Sequence, residues 1–220
     1  MFSFPEIEYE KEPFPHCVVE GAWSSEILGW CKWECDGLPY AWKDDPPRTY
    51  RKGHCSDWNL LPSTITKVIN FCSRPEFIQW LEKTTGERCL VPDPYLKGGG
   101  VHRISRGGYL AMHTDFNWHE ELKLYRRLNL LLYLNEGWKQ EWEGALTLDN
   151  GSAKLSGANV GFVDPAANTM VIFTTNDKSW HGHPEPLACP DNVHRDSIAL
   201  YYYSPVKPEG ELRTTTKYGI

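Results

Sequence analysis

His113 and Asp115 stand two residues apart, at the end of the apolar run GYLAMH. On a strand, residues two apart point to the same face, so an imidazole and a carboxylate would converge on one point. A second imidazole from a distant strand would complete two nitrogen donors and one oxygen donor on one side of a metal ion. That facial set leaves the opposite positions open, as non-haem Fe(II) needs for O₂ and a cosubstrate. By itself the spacing is weak evidence. His194 and Asp196 repeat it, and His183–Glu185 and His119–Glu121 imitate it with glutamate. Each of these reads alone as a solvated pair. His194–Arg195–Asp196 also copies part of a kinase catalytic loop, but the chain has neither a glycine-rich phosphate loop nor a DFG.

The downstream sequence separates the first pair from the rest. TMVIFTTNDKSWHGHPEP places His181 just after an apolar run, with His183 as a rival two residues on. Arg195 and Ser197 then precede IALYYYS and share a strand face. A guanidinium offers two parallel hydrogen bonds that match a carboxylate, and a hydroxyl beside it adds a third donor. Such a pair would hold the far end of a dicarboxylate cosubstrate. The order His–x–Asp, distal His, Arg–x–Ser is more specific than any of its parts.

These residues need a β framework. From about Val101 the chain runs through VHRI, GYLAMH, RLNLLLYLN, ALTLD, TMVIFTT and SIALYYYS, separated by Gly, Asn, Asp and Pro, which predicts many short strands. Before that, Ser24 caps a helical pattern running to Cys35. Pro62–Ser63–Thr64 opens another with Ile65, Val68, Ile69 and Cys72 on one face, and Pro75 starts a third that Gly86 ends. The expected fold is mainly β with N-terminal helices, and the 220 residues are expected to form one domain. Its parts would be a helical support over about 1–97, a β core over about 98–205 and a C-terminal tail over 206–220. Gly98–Gly99–Gly100 would be the tight lead-in to the core.

A net charge of −6 argues against a nucleic-acid partner, which needs a basic surface. The seven cysteines form no CxxC pair, so a zinc ribbon is not expected. With no signal-like start, they point to a reducing cytoplasm. No apolar run is long enough to span a membrane, so no membrane partner is expected.

GGYLAMHTDFN, RRLNLLLYLNEGWKQEWEGALTL and WHGHPEPL followed by Arg195–Asp196–Ser197 resemble the prolyl-4-hydroxylase-like branch of the 2-oxoglutarate- and Fe(II)-dependent dioxygenases. The resemblance covers roughly the C-terminal 130 residues and, more loosely, PFPHCVVEGAWSSEIL. It implies a double-stranded β-helix (jelly roll, cupin-like) core, with Fe(II) on His113, Asp115 and His181 and 2-oxoglutarate and O₂ as cosubstrates. Ascorbate would be a possible stimulant. Arg195 and Ser197 would anchor the cosubstrate with Tyr133, which shares a strand face with Asn129; Asn129 is a further candidate contact. Phe116, Asn117 and Trp118, on the segment after the ligand pair, are candidates for substrate contacts, with Tyr201 and Tyr109. The intact Asp115 implies hydroxylation, or a desaturation or cyclisation variant of it, rather than halogenation, for which related enzymes vacate that position. Three departures stand out: Ile104 where relatives often carry tyrosine, Glu143–Gly144 for a glycine pair, and a longer spacing from distal His to Arg. The substrate would be a prolyl peptide or a small molecule. The competing readings are a cupin-like metal dioxygenase or isomerase that does not use 2-oxoglutarate, and a non-catalytic jelly-roll binding domain.

Overall fold

The structure is a computed structural model that describes residues 2–151, 160–208, 210 and 212–219. The three predicted helices are present as α1 (Ser25–Cys35), α2 (Ser63–Cys72) and α3 (Pro75–Thr85). Ile65, Val68, Ile69 and Cys72 form the buried face of α2, as their spacing requires. Gly86 ends α3 in the left-handed conformation, with φ 76°, and its N–H closes on the Glu82 carbonyl. Phe77, Trp80 and Leu81 of α3 join Phe2, Trp23 and the α2 face in one apolar cluster against the outer side of the sheet.

The strands are β1 (His16–Glu20), β2 (Ala41–Asp45), β3 (Thr49–Cys55), β4 (Val91–Pro92), β5 (Gly100–Thr114), β6 (Trp118–His119), β7 (Leu124–Tyr133), β8 (Leu146–Asp149), β9 (Val160–Val163), β10 (Thr169–Thr174), β11 (Trp180–His183), β12 (Arg195–Ser204) and β13 (Lys217–Tyr218). Their hydrogen-bonded order is β1-β10-β7-β12-β5-β11-β8-β9, all antiparallel, with β3 and β13 also on β5. The result is a nearly closed antiparallel sandwich of the double-stranded β-helix kind.

β5 is the hinge of this arrangement. Its first half, Gly100–Ile104, pairs with β12, while its second half, around Leu110 and His113, pairs with β11. The sequence suggests two strands here; instead one strand bends through Gly107 and Gly108 and passes from one wall of the sandwich to the other. Gly107 has φ 76°, and a Cβ on Gly108 would stand 2.6 Å from Ile104 Cγ2 and 2.8 Å from the Tyr50 carbonyl.

The N-terminal region is more than a helical support. β1 extends the sheet beyond β10, and the β2–β3 hairpin places β3 beside β5, with Lys52 opposite Ile104. The 41–55 stretch hides this because it is polar and mostly exposed, without the apolar alternation that marks a half-buried strand.

Candidate functional site

β5 and β11 run side by side with His113 directly opposite His181, and Asp115 follows just past the end of β5. One ligand atom from each of these three residues lies within 4.8 Å of the others. His113 Nε2 is 3.7 Å from one Asp115 oxygen, and His181 Nε2 is 3.4 Å from the other. Each imidazole turns its Nδ1 to a carbonyl two residues earlier, Ala111 for His113 and Ser179 for His181, both at 2.9 Å. With Nδ1–H donating, Nε2 keeps its lone pair and its aim. Burial, reinforced by His181 alongside, lowers the His113 pKa to about 3, so this imidazole is neutral and ready to ligate. His183 pairs with Leu110 after a register shift and lies outside the group, although it lines the same cavity.

Burial alone would push the Asp115 carboxyl up, yet Arg126 and the two imidazoles hold it well below the usual carboxylate range. Arg126 Nη2 and Asn129 Nδ2 donate to the same Asp115 oxygen at 2.9 and 2.7 Å. Arg126 Nε and Thr175 Oγ1 donate to Asn129 Oδ1 at 2.8 and 3.2 Å. The Arg126 guanidinium lies 3.4 Å from the centre of the Tyr201 ring and 4.8 Å from that of Phe116. Strand alternation from Asn129, Leu131 and Tyr133 would leave Arg126 in water, but it is 1% exposed. Asn129 lines the cavity as well, with its amide bonded to Asp115 and Arg126. Two imidazoles oriented through their Nδ1 hydrogen bonds and an ionised, fixed carboxylate are a donor set that fits a divalent first-row ion.

Across the cavity, Arg195 opens β12 and is 5% exposed. Its Nε donates to the Gly144 carbonyl at 2.8 Å, and its Nη2 donates to the Tyr133 hydroxyl at 3.1 Å. Among the described residues no carboxylate pairs with it. Gly144 makes this close approach possible: its φ is +83°, and a Cβ there would stand 2.5 Å from Leu187 Cδ2 and 3.2 Å from Arg195 Cδ. Ser197 lies on the same face of β12, opposite Tyr133, and lines the cavity. The neighbouring look-alike dissolves in the fold. Asp196 turns to the other face of β12, where Arg103 donates to it at 2.7 and 2.8 Å and Lys32 of α1 pairs with it.

The cavity between these groups measures about 210 Å³. Phe116 and Tyr201 line it, and the Tyr201 hydroxyl donates to the Gly98 carbonyl. The other expected contacts lie elsewhere. Tyr109 packs against Tyr50 on the hairpin, Trp118 against Tyr125 and Arg213, and Asn117 is turned to the Leu212 carbonyl and the Thr214 amide. The reason is β13: the C-terminal segment pairs with β5 beside the ligands, and Asn117 fastens it down. Tyr218 stacks on His113 with ring centres 5.5 Å apart, and Thr216 and Tyr218 line the cavity. Sequence reasoning missed Lys52, Arg126, Thr216 and Tyr218. Only the Arg126–Arg127 pair entering a strand left a trace of its role.

Residues 99–203 match the family model described as the 2OG-Fe(II) oxygenase superfamily. No curated protein matches the chain in sequence. Solved structures do match in fold. A prolyl-4-hydroxylase from Pseudomonas putida superposes with a TM-score of 0.62 at 14% identity, covering 86% of this chain and 92% of that one. HygX from Streptomyces hygroscopicus, solved with nickel and 2-oxoglutarate, gives 0.59 at 14% identity over 86% and 82%. A Trichoplax adhaerens prolyl hydroxylase in complex with a hypoxia-inducible factor peptide gives 0.58 at 17% identity over 86% and 83%. Family match, fold and ligand triad point the same way: residues 99–203 resemble the 2OG-Fe(II) oxygenase superfamily, and the fold is the one seen in prolyl-4-hydroxylase structures.

Proposed function

We propose that this protein hydroxylates an unactivated C–H bond of a prolyl residue, an amino acid or another small molecule. One oxygen atom of O₂ would enter the substrate and the other would enter succinate, as 2-oxoglutarate loses CO₂. The observation that carries the reading is Arg195, a buried guanidinium with two neutral partners and no carboxylate among the described residues, facing the same cavity as the His113–Asp115–His181 triad. A buried charge without a counter-ion is costly, and an incoming carboxylate relieves that cost. A dicarboxylate that reaches from the triad to Arg195 fits both ends.

In this reading His113, Asp115 and His181 hold the iron, which, once bound, supplies the O₂ activation that oxidises the C–H bond. Arg195 grips the far carboxylate, with the Tyr133 and Ser197 hydroxyls beside it. Asn129 and Arg126 keep the Asp115 carboxylate ionised and fixed. Phe116, Tyr201 and Tyr218 close the cavity with aromatic surface and exclude water from the reacting centre. Structural neighbours have been solved with either a peptide or hygromycin B bound, so the fold by itself leaves both substrate kinds open. Seven free cysteines support a reducing compartment such as the cytoplasm. Among the described residues no helix is long and apolar enough to cross a membrane.

The test is 2-oxoglutarate turnover with Fe(II) and ascorbate against prolyl peptides and free amino acids. Succinate should form, and His113→Ala should abolish both iron binding and turnover. Iron binding without any succinate would favour the cupin-like alternative. No metal binding at all would leave the non-catalytic one.

A further inference from the structure

Lys52 is the one cation of the cavity that the proposed chemistry leaves idle. It sits on β3 opposite Ile104, and Ile104 sits opposite Arg195 on β12, so the two cations flank one cross-strand row. Strand spacing of about 4.8 Å sets their backbones roughly 10 Å apart. Lys52 lines the cavity, and its side-chain nitrogen makes no hydrogen bond or ion pair with any described residue. The carboxylate whose charge reaches it is Asp115, already held by Arg126 and Asn129. Burial lowers the Lys52 pKa to about 8, so it remains an ammonium at neutral pH.

The cavity thus gathers three cations, Lys52, Arg126 and Arg195, around one carboxylate, Asp115. A divalent ion and a dianionic cosubstrate cancel each other, so the surplus of positive charge persists in the loaded site. Position decides which cation is spare. Arg195 is sealed beneath Tyr133, which is fully buried, whereas Lys52 keeps partial exposure and can be reached from solvent. His183 adds an unpartnered group: it is 3% exposed, lines the same cavity, and neither ring nitrogen has a hydrogen-bond partner. Buried imidazole nitrogens are rarely left bare, so a ligand atom belongs against them.

Building on the oxygenase reading, we propose that the substrate is a small carboxylic acid whose carboxylate docks on the Lys52 side chain, with His183 as a hydrogen-bonding neighbour. One lysine with one imidazole beside it suits a monoanion better than a phosphate ester, which calls for more donors. An internal prolyl residue of a peptide brings no carboxylate of its own. The site therefore favours a free amino acid or a similar acid.

The experiment uses full-length protein loaded with Mn(II) and 2-oxoglutarate, so that no turnover occurs, and calorimetric titration with matched pairs. The probes are the proteinogenic L-amino acids and L-pipecolate, each against its primary amide, with O-phosphoethanolamine as the phosphate probe. At least one acid should bind about tenfold more tightly than its amide. Lys52→Met should erase that preference, Lys52→Arg should keep most of it, and both should leave the 2-oxoglutarate dissociation constant within about threefold of wild type. The proposal is overturned if no acid exceeds its amide, if Lys52→Met keeps the preference, or if O-phosphoethanolamine outbinds every acid. It is equally overturned if Lys52→Met loses 2-oxoglutarate instead, which would assign the ammonium to the cosubstrate. Failure of the wild-type Mn(II) protein to bind 2-oxoglutarate would sink the oxygenase reading itself, a separate outcome read in the same titration.

Discussion

Replacing Arg195 with methionine should separate binding from stability. The side chain is buried, its Nε is on the Gly144 carbonyl and its Nη2 on the Tyr133 hydroxyl, and no described carboxylate neutralises it. Breaking an ordinary buried ion pair costs about 3–5 kcal/mol because a charge is stranded. Here the stranded charge is the arginine itself. Arg195→Met removes it together with two modest hydrogen bonds, each worth about 1–3 kcal/mol when a partner is left bare. The two effects oppose one another, so the unfolding free energy of the metal-free protein should stay within about 1 kcal/mol of wild type. Cosubstrate affinity should behave differently. Truncating one side of a buried charged pair costs about 2–5 kcal/mol. With a fork of two donors, about 3–4 kcal/mol is expected here, a hundredfold to a thousandfold weakening of 2-oxoglutarate. Urea unfolding and calorimetric titration of the Mn(II)-loaded protein measure the two quantities. A loss of more than about 3 kcal/mol in stability, with less than a threefold change in 2-oxoglutarate affinity, would refute the reasoning.

Three further outcomes follow from the same geometry. Tyr133→Phe removes one hydroxyl at 3.1 Å from Arg195 and should weaken 2-oxoglutarate about fivefold to thirtyfold while leaving Mn(II) binding unchanged; equal affinity in the titration would remove Tyr133 from the anchor. Arg126→Met leaves Asp115 buried with Asn129 as its remaining neutral donor, so the metal-free protein should lose about 3–5 kcal/mol in urea unfolding, and saturating Mn(II) should recover part of that loss by restoring a positive charge. Equal losses with and without Mn(II) would disprove the pairing. The metal-free protein should also weaken in acid. Burial holds His113, His102 and His183 below their ordinary pKa, with His181 beside His113 and with Lys52 and Arg195 facing the other two. The unfolded chain takes up protons on these residues below about pH 6.5, while the folded state resists until far lower, near pH 3 for His113. Stability is therefore full above pH 6.5 and falls as the pH drops. Each histidine contributes up to about 1.4 kcal/mol per pH unit, a ceiling of about 4 kcal/mol per unit for the three. Unfolding curves that coincide at pH 7 and pH 5 would contradict this.

Much of the chemistry was legible in the chain because it depends on residue type and on strand parity. His113 and Asp115 had to share a face if GYLAMH was a strand, and Arg195 and Ser197 had to share one if IALYYYS was. The helical faces of α2 and α3 and the glycine stop at Gly86 are local properties of the same sort. Choosing His181 over His183 was different. Both are inward on β11, and only the pairing of β11 with β5 sets His181 against His113 and shifts His183 out of the group.

Arg126 shows most plainly what sequence by itself does not hold. Strict alternation from Asn129, Leu131 and Tyr133 would put Arg127 inward and Arg126 in water. The register between β7 and β12 slips by one residue, Tyr202 facing Leu128 and Tyr203 facing Arg126. That irregularity turns Arg126 under Asp115 and leaves Arg127 to pair with Glu87. Lys52 and Tyr218 come from polar stretches with no periodicity, and each reaches the cavity only because its strand docks on β5. The sequence determined the donors and the acceptors; long-range strand pairing, which no local pattern encodes, decided which of them meet.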